Sequence, residues 1–343
     1  MTLFASPTDF LAALSSLPAA DAGAIAAAAA RQAQLTKPAG SLGRLEEIAL
    51  FMAGWSGREI PALDHLQGIV FAGNHGIAAR GVSAYPPEVT AQMVGNFRQG
   101  GAAINALARA CGAHLTIVPL DLHRPTQDIT QAPAMSEEEC LAALNAGACA
   151  VDPRADLLFV GEMGIGNTTP AAALCAQAFG GGGAEWAGRG TGLDAPGVAR
   201  KVAVVDEALA LHGADIRDPF EALRRLGGRE IAAMAGAIVA ARAMRIPVLL
   251  DGFIACASIA PIAAAEPDIT AHCMAAHCSA EGGHARLLAH LGLDPLLHLA
   301  MRLGEGSGAA VAAQLVRSAL AAHADMATFA QAQVAGPQLA GAL

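Results

Sequence analysis

The sequence predicts an α/β protein with a parallel sheet flanked by helices, and with further helices at both chain ends. Two observations predict the sheet. After Pro61, short apolar runs alternate with alanine-rich or amphipathic helical stretches, which is the pattern of βαβ units. Nearly every apolar run also leads directly into glycine and polar residues, as strands do beside a ligand site.

Helices are predicted at both ends of the chain and strands between them. Residues 6–9 (SPTD) are typical of a helix start, residues 20–35 are rich in alanine, and apolar residues recur at helical spacing from Leu42 to Met52. From about Ala285 the chain is again predicted to be helical. Five strands are predicted, at residues 68–72, 115–118, 157–160, 247–250 and 269–278.

The composition narrows the class of protein. The 343-residue chain is 54% apolar, but its longest charge-free stretch, residues 163–184, contains Asn, Thr, Pro and four consecutive glycines, so no membrane span is predicted. The apolar content comes largely from alanine, which predicts tightly packed helices. A net charge of −9 without a basic stripe argues against nucleic acid as a partner. No secretory signal pattern opens the chain and its seven cysteines lack framework spacing, so we expect a cytoplasmic protein with reduced thiols.

Two glycine-rich segments are candidate anion sites. Residues 161–169 (GEMGIGNTT) join a predicted strand to a helix that starts near Pro170, with Thr168 or Thr169 as its N-cap. The exposed N–H groups of such a helix start bind phosphate well. Residues 188–194 (GRGTGLD) expose further backbone N–H groups, and Lys201 follows them with a positive charge. The alternative for the first segment is a tight turn that needs glycine. The alternative for the second is a surface loop with a solvated lysine.

Glu305 is a candidate general base. It stands between two glycines in LGEGSG at residues 303–308, just before a helix predicted from Ala309 to about Met326. Such a carboxylate can approach a ligand closely, and its pKa rises toward the useful range if it loses water. A carboxylate that merely favours the positive end of a helix dipole is the alternative.

Histidine and cysteine recur between residues 272 and 284, which raises the question of a metal site. If residues 269–278 form a strand, His272 and His277 point to opposite faces. Neither CxxC nor HExxH spacing is present. We therefore predict buried, hydrogen-bonded side chains and no metal.

Read together, these segments resemble the nicotinate-nucleotide–dimethylbenzimidazole phosphoribosyltransferase family. The resemblance runs from about residue 37 to residue 323, and the number and order of its motifs make it specific. It rests on TKPAGSLGRLE (36–46), AGNHGI (72–77), GVSAYP (81–86), GGAAIN (100–105), GEMGIGNTT (161–169), GRGTG (188–192), LDGF (250–253), HCSAEGGH (277–284) and RLGEGSG (302–308).

The resemblance implies a reaction and a set of site residues. A benzimidazole nitrogen attacks C1′ of nicotinate mononucleotide and nicotinate leaves, in the assembly of the lower-ligand nucleotide of cobalamin. The residue that matches the family's general base is Glu305. Those that match the phosphate and ribose contacts are Glu162, Gly164, Gly190, Lys201 and Ser279. Those that match the benzimidazole pocket are Ser83, Tyr85, Gln92 and Leu303. The resemblance also implies a Rossmann-like α/β domain, predicted at residues 31–290, and a small helical domain formed by both chain ends, predicted at residues 1–30 plus 291–343. It implies a homodimer and no metal or redox cofactor.

Two other functions remain to be weighed on the same scaffold. A dinucleotide-dependent oxidoreductase would need an acidic residue about 20 positions after a proper glycine fingerprint, and none pairs with one here. A non-catalytic nucleotide sensor would not need a carboxylate in the setting of Glu305.

Overall fold

The computed structural model describes residues 3–336, which form two compact units. One unit contains the chain up to Pro18 and His65–Ala312, and the other contains Ala19–Asp64 and the residues from Ala313 onward. The units thus divide at points other than those predicted. Residues 291–312 belong to the unit that contains the sheet, and they bond to the last strand and to the chain that follows it. The N–H of Leu296 donates to the Ala275 carbonyl and that of Ala280 to the Met301 carbonyl, both at 2.9 Å.

A five-stranded parallel sheet forms the centre of the larger unit, in the order β2-β1-β3-β4-β5. β1 is buried along its whole length, as expected for a strand with helices on both faces. The parallel sheet and four of its predicted strands are confirmed. The strands are β1 (Leu66–Ala72), β2 (His114–Pro119), β3 (Leu157–Met163), β4 (Val248–Leu250) and β5 (Cys273–Ala275).

The fifth predicted strand is wrong over most of its length. Pro267–His272 is a 3₁₀ helix, and only Cys273–Ala275 pairs with β4. Pro267 starts the 3₁₀ helix, and the two ring nitrogens of His272 lie 3.0 Å from the carbonyl oxygens of Ile269 and Ile238. Burial lowers the pKa of His272 to about 3, so the neutral ring donates its single N–H to one of them. Local hydrogen bonds therefore favour a 3₁₀ helix at these residues over the strand that the apolar pattern predicted.

Helices surround the sheet and build the smaller unit. A second 3₁₀ helix, Gly76–Arg80, follows β1. The helix predicted from residue 309 begins two residues earlier. The α-helices are α1 (Pro7–Leu14), α2 (Ala22–Gln32), α3 (Arg44–Ser56), α4 (Glu88–Gln99), α5 (Ala103–Cys111), α6 (Glu137–Ala150), α7 (Thr168–Phe179), α8 (Gly183–Trp186), α9 (Ala195–His212), α10 (Pro219–Leu226), α11 (Arg229–Ala243), α12 (Phe253–Ser258), α13 (Ala260–Ala265), α14 (His284–His290), α15 (Ser307–Asp325) and α16 (Phe329–Ala332).

Helix α11 shows why the chain is so rich in alanine and glycine. All but the last of its residues are buried, and it lies against α6 at backbone contact distance. A Cβ atom on Gly147 of α6 would collide with the Ala233 carbonyl, and one on Gly236 of α11 would collide with the Leu144 carbonyl. The tight helix packing that alanine predicted is confirmed here.

The smaller unit joins α2 and α3 to the last turns of α15. Arg31 of α2 donates to the carbonyls of His323 (2.8 Å) and Ala324 (2.7 Å), which have no partner within the helix. The His323 ring bonds in turn to the Glu59 carbonyl at 2.8 Å. These bonds fix the end of α15, where the carbonyl groups also favour a positive charge.

Among residues 3–336, no helix combines the length and the apolar character that crossing a bilayer requires.

Candidate active site

A cleft opens at the carboxyl ends of the strands. Its walls come from the loops after β3, β4 and β5, from the glycine-rich segment before α9, and from the chain before α15. The convergence of loops at this edge of the sheet, which the sequence predicted, is confirmed. Five predicted site residues line the cleft: Glu162, Gly164, Gly190, Ser279 and Leu303.

The other predicted residues lie elsewhere. Lys201 is completely buried and Glu305 is 4% exposed, and neither is among the residues that line the cleft. Ser83, Tyr85 and Gln92 do not line it either. Tyr85 is 53% exposed, and its backbone N–H donates to Ser83 Oγ at 3.2 Å.

The loop after β3 leads into the start of α7. Its N-cap is Asn167, so the predicted caps Thr168 and Thr169 are wrong; both lie in the first turn. No side chain caps this helix, because the Asn167 amide turns away and donates to Glu162 Oε2 at 2.5 Å. The positive end of α7 is therefore directed at the cleft without an internal anion, and it can receive the anion of a ligand.

Lys201 lies beneath the second glycine-rich segment. Its ammonium group donates to Thr168 Oγ1 at 2.8 Å and to the Gly188 carbonyl at 3.0 Å. A Cβ atom on Gly190 would lie 3.1 Å from Nζ, so this glycine lets the backbone run close over the charge. Burial lowers the pKa of Lys201 to about 8. Lys201 thus joins the start of α7 to the segment before α9, both of which line the cleft.

Glu162 is a buried carboxyl in the wall of the cleft. It lies within β3, two residues beyond the strand end that the sequence predicted, and pairs with Phe71 of β1. Burial raises its pKa to about 8, and the neighbouring Glu230, Asp251 and Glu305 act in the same direction, while the bond from Asn167 opposes them. Glu162 is therefore largely protonated at neutral pH.

Glu305 has an unusual backbone and an unusual side chain. Its φ is +64°, and the two glycines beside it also have positive φ angles. Burial raises the pKa of its carboxyl, while a hydrogen bond from the Ile104 backbone N–H at the start of α5 lowers it. Its Oε2 atom is buried and has no hydrogen-bond partner. Strain and an unsatisfied acceptor in one residue, next to the cleft-lining Gly304, are typical of a functional group.

The histidines between residues 272 and 284 are largely held by the protein itself. The His272 ring lies between two backbone carbonyls and donates to one of them, and His284 Nδ1 lies 2.8 Å from the Ser279 backbone N and 2.9 Å from its Oγ. The prediction of buried, hydrogen-bonded side chains is confirmed for these two. His277 Nε2 lies 3.7 Å from Asp251 Oδ1, and its Nδ1 has no partner. Within residues 3–336, no three His, Cys, Asp or Glu side chains are grouped as metal ligands.

Three residues with evident parts in the site had no role in the sequence prediction. Arg302 is the one Lys or Arg side chain among the described residues of the cleft wall, and its Nη1 donates to the Gly190 carbonyl at 3.1 Å. Asp251 follows β4 and accepts hydrogen bonds from the start of α15. Asn167 holds Glu162. The signal for Asp251 was its place directly after a strand.

Known proteins resemble this chain along nearly its full length. A family model described as "Phosphoribosyltransferase" matches residues 17–334. Nicotinate-nucleotide–dimethylbenzimidazole phosphoribosyltransferase of Novosphingobium aromaticivorans is 66% identical over 98% of this chain and 99% of its own length. The protein of the same name from a Ruegeria species is 59% identical over 95% of this chain and 97% of its own length.

A solved structure shares the fold. The crystal structure of nicotinate-nucleotide–dimethylbenzimidazole phosphoribosyltransferase from Thermus thermophilus superposes with a TM-score of 0.85 at 39% sequence identity. The match covers 92% of this chain and 100% of that one.

Proposed function

This chain belongs to the nicotinate-nucleotide–dimethylbenzimidazole phosphoribosyltransferase family, and we propose that it moves the 5-phosphoribosyl group of nicotinate mononucleotide onto 5,6-dimethylbenzimidazole. The products are α-ribazole 5′-phosphate and nicotinate. The family does not favour the oxidoreductase and sensor alternatives.

The setting of Glu305 is the observation that carries this proposal. An azole nucleophile needs a group that takes its proton, and the group must keep some affinity for that proton near neutral pH. The buried carboxyl of Glu305, with its raised pKa and its unpartnered Oε2, meets that need. Its place next to Leu303 and Gly304 sets it at the edge of the cleft.

The nucleotide half of the site uses the start of α7 and the segment around Gly190. We assign the phosphate to this region, where the uncapped helix start, the Lys201 ammonium and the Arg302 guanidinium come together. Gly164 lies in the loop after β3, where a Cβ atom would crowd the Glu230 carboxyl and the Gly73 carbonyl, and Ser279 adds a hydroxyl to the cleft wall. Glu162, being largely protonated, brings little negative charge toward the phosphate.

The azole half of the site lies toward α4 and α5. Thr90 of α4 accepts a hydrogen bond of 3.1 Å from the Ile165 N–H in the cleft wall, so this helix adjoins the cleft. Leu303 offers an apolar surface that is 55% exposed, as a flat heterocycle requires. Ser83, Tyr85 and Gln92, on and before α4, are proposed to contact the azole from this side.

The proposed transfer reaction needs neither a metal nor a redox cofactor. One azole nitrogen attacks C1′, and the bond from C1′ to the pyridinium nitrogen breaks, with its electron pair passing to the ring. The nicotinate leaves as a neutral pyridine ring, and the proton on the second azole nitrogen passes to Glu305. Because the pyridinium ring is already a good leaving group, holding the reactants in line supplies much of the rate.

One incubation tests the proposal. The protein is mixed with nicotinate mononucleotide and 5,6-dimethylbenzimidazole, and mass spectrometry follows α-ribazole 5′-phosphate and nicotinate. Equal release of both supports transfer. Nicotinate release without the coupled product would indicate hydrolysis instead, and no release at all would contradict the proposal. A cytoplasmic homodimer is also proposed from the family, and sedimentation at micromolar protein concentration tests the dimer.

A further inference from the structure

We propose that Asp251 is a positioning residue, which holds Glu305 in its working conformation by accepting hydrogen bonds from the backbone that directly follows Glu305. The proposal rests on the proposed function, in which Glu305 takes the proton of the azole. It assigns a defined task to a buried carboxylate that the reaction does not otherwise use.

The backbone around Glu305 does not hold itself. Gly304, Glu305 and Gly306 have consecutive φ angles of +80°, +64° and +83°. Two of these residues are glycines and adopt the left-handed region freely, but Glu305 has a side chain and is strained there. Such a conformation persists only where the surrounding structure imposes it.

Asp251 supplies that constraint through both of its oxygens. Its Oδ2 accepts from the Gly306 N–H at 3.2 Å, and its Oδ1 accepts from the Ala309 N–H at 2.9 Å. The Gly308 backbone N–H donates to the same carboxyl. Asp251 therefore binds the first turn of the 19-residue helix α15 and the residue directly after Glu305.

The sheet holds the other side of the same turn. A Cβ atom on Gly161 of β3 would collide with the Glu305 carbonyl group and the Gly306 nitrogen, so this glycine lets the turn rest directly on the strand. Asp251 follows β4, the neighbour of β3. The turn is thus fixed between a strand surface and a carboxylate from the next strand, and the Glu305 carboxyl is left with one unpartnered oxygen.

Asparagine at position 251 separates this role from others. It keeps the shape and one acceptor but turns the second oxygen into an N–H donor that faces another N–H. The Glu305 turn then loses one of its bonds and samples other conformations. We expect kcat to fall about 10- to 100-fold for Asp251→Asn, a range set by the loss of part of a general-base effect, while KM for nicotinate mononucleotide changes less than about threefold.

A double-mutant cycle with Glu305→Gln provides the decisive readout. If Asp251 acts through Glu305, adding Asp251→Asn to Glu305→Gln lowers the residual rate less than about threefold, because the positioned base is already gone. If the second change lowers the rate by the same factor in both backgrounds, Asp251 acts on the substrate by itself and the proposal is wrong. A wild-type rate for Asp251→Asn alone overturns it as well.

Matched variants guard against a folding defect. Asp218→Ala removes a helix-capping side chain that accepts from the Glu221 N–H at 2.8 Å and does not line the cleft, so it should lower the melting temperature without changing kcat. If Asp251→Asn does not fold, Ala309→Pro removes the donor to Oδ1 from the other side. Proline is tolerated in the first turn of a helix, and this variant should show the same epistasis with Glu305→Gln; additive losses would overturn the proposal.

Transfer by the wild-type protein is measured first, and its absence would refute the proposed function rather than the role of Asp251.

Discussion

Asn167 Nδ2 donates a hydrogen bond of 2.5 Å to Glu162 Oε2 at the point where β3 passes into α7. The bond occupies the side chain at the N-cap position with a carboxyl group, so the helix start keeps no internal capping partner. Two parts of the site follow from it: the start of α7 remains available to a ligand anion, and Glu162 stays fixed in the cleft wall.

The raised pKa of Glu162 predicts a pH-dependent effect on stability. Because its folded pKa of about 8 lies above its ordinary value, the folded state holds this proton more tightly than the unfolded chain. The contribution of Glu162 to stability is therefore present in acid and is lost as the pH rises toward 8. Compared with the wild type, Glu162→Gln should therefore be more stable at pH 9 than at pH 5. The difference in the free energy of unfolding between the two proteins should change by on the order of a few kcal/mol from pH 5 to pH 9.

Urea unfolding of the wild type and the variant at the two pH values checks this. The difference between the proteins isolates Glu162 from Asp251, whose pKa burial also raises, to about 7. An equal change at both pH values would contradict the raised pKa of Glu162.

Arg302 should determine affinity for one anionic group of the substrate. Its guanidinium donates one N–H to the Gly190 carbonyl at the cleft wall. Arg302→Gln should raise KM for nicotinate mononucleotide by about 10- to 100-fold, as expected for a charge-assisted contact of roughly 1.5–3 kcal/mol. Nicotinate riboside, which lacks the phosphate, and nicotinamide mononucleotide, which lacks the carboxylate, identify the contacted group. The insensitive analogue is the one that lacks it, and equal sensitivity of both would exclude a specific contact.

Lys201 should affect the nucleotide much more than the azole. Lys201→Ala removes the ammonium that joins Thr168 to the Gly188 carbonyl. Both anion-binding segments then lose a hydrogen bond that holds them in place. We expect nicotinate mononucleotide binding to weaken by roughly 1.5–3 kcal/mol, with little change for benzimidazole. Calorimetry with each ligand measures the two affinities. Thr168→Val, which removes only the hydroxyl partner of Lys201, is the matched control and should give a smaller loss of the same kind. Equal losses for both ligands would contradict this role.

The sequence predicted the sheet well because each strand carries its own signal. The runs at residues 68–72 and 157–160 are apolar, of strand length, and end in glycine and polar residues. The fifth strand failed because Pro267 and the bonds of His272 are local competitors that an apolar pattern does not register. The two glycine-rich segments could also be recognised from the sequence, because each is one short continuous stretch of the chain.

What the sequence missed depends on contacts between distant residues. Lys201 was expected to face a ligand, yet its partner Thr168 lies 33 residues earlier and its charge lies beneath the backbone. Asp251 is separated from Gly306 by 55 residues, so no spacing rule links it to Glu305. Such pairs are set by tertiary packing, and only the fold brings them together.

Chelators should leave the activity unchanged. The rings of His272 and His284 are buried and each is hydrogen-bonded to a protein partner, and the described residues contain no group of side chains that could hold a metal ion. Turnover before and after dialysis against EDTA checks this, with a known zinc enzyme as positive control. Loss of activity that zinc restores would contradict the prediction.

Glu305→Gln should separate catalysis from stability. Glutamine keeps the size of the side chain and can still accept from the Ile104 N–H, but it cannot take a proton. A general base contributes about 10²- to 10⁴-fold, so kcat should fall by that factor while KM changes little. Because burial raises the pKa of Glu305, the acid limb of the wild-type kcat/KM profile should lie above the ordinary range for a glutamate and should vanish in the variant. The defect should also shrink for azoles that lose their proton more readily, since the base then has less to do.

If Glu305 served only as a favourable charge before α15, its replacement would change stability by about 0.3–1 kcal/mol and leave kcat intact. A well-folded variant with wild-type turnover would therefore end the general-base assignment.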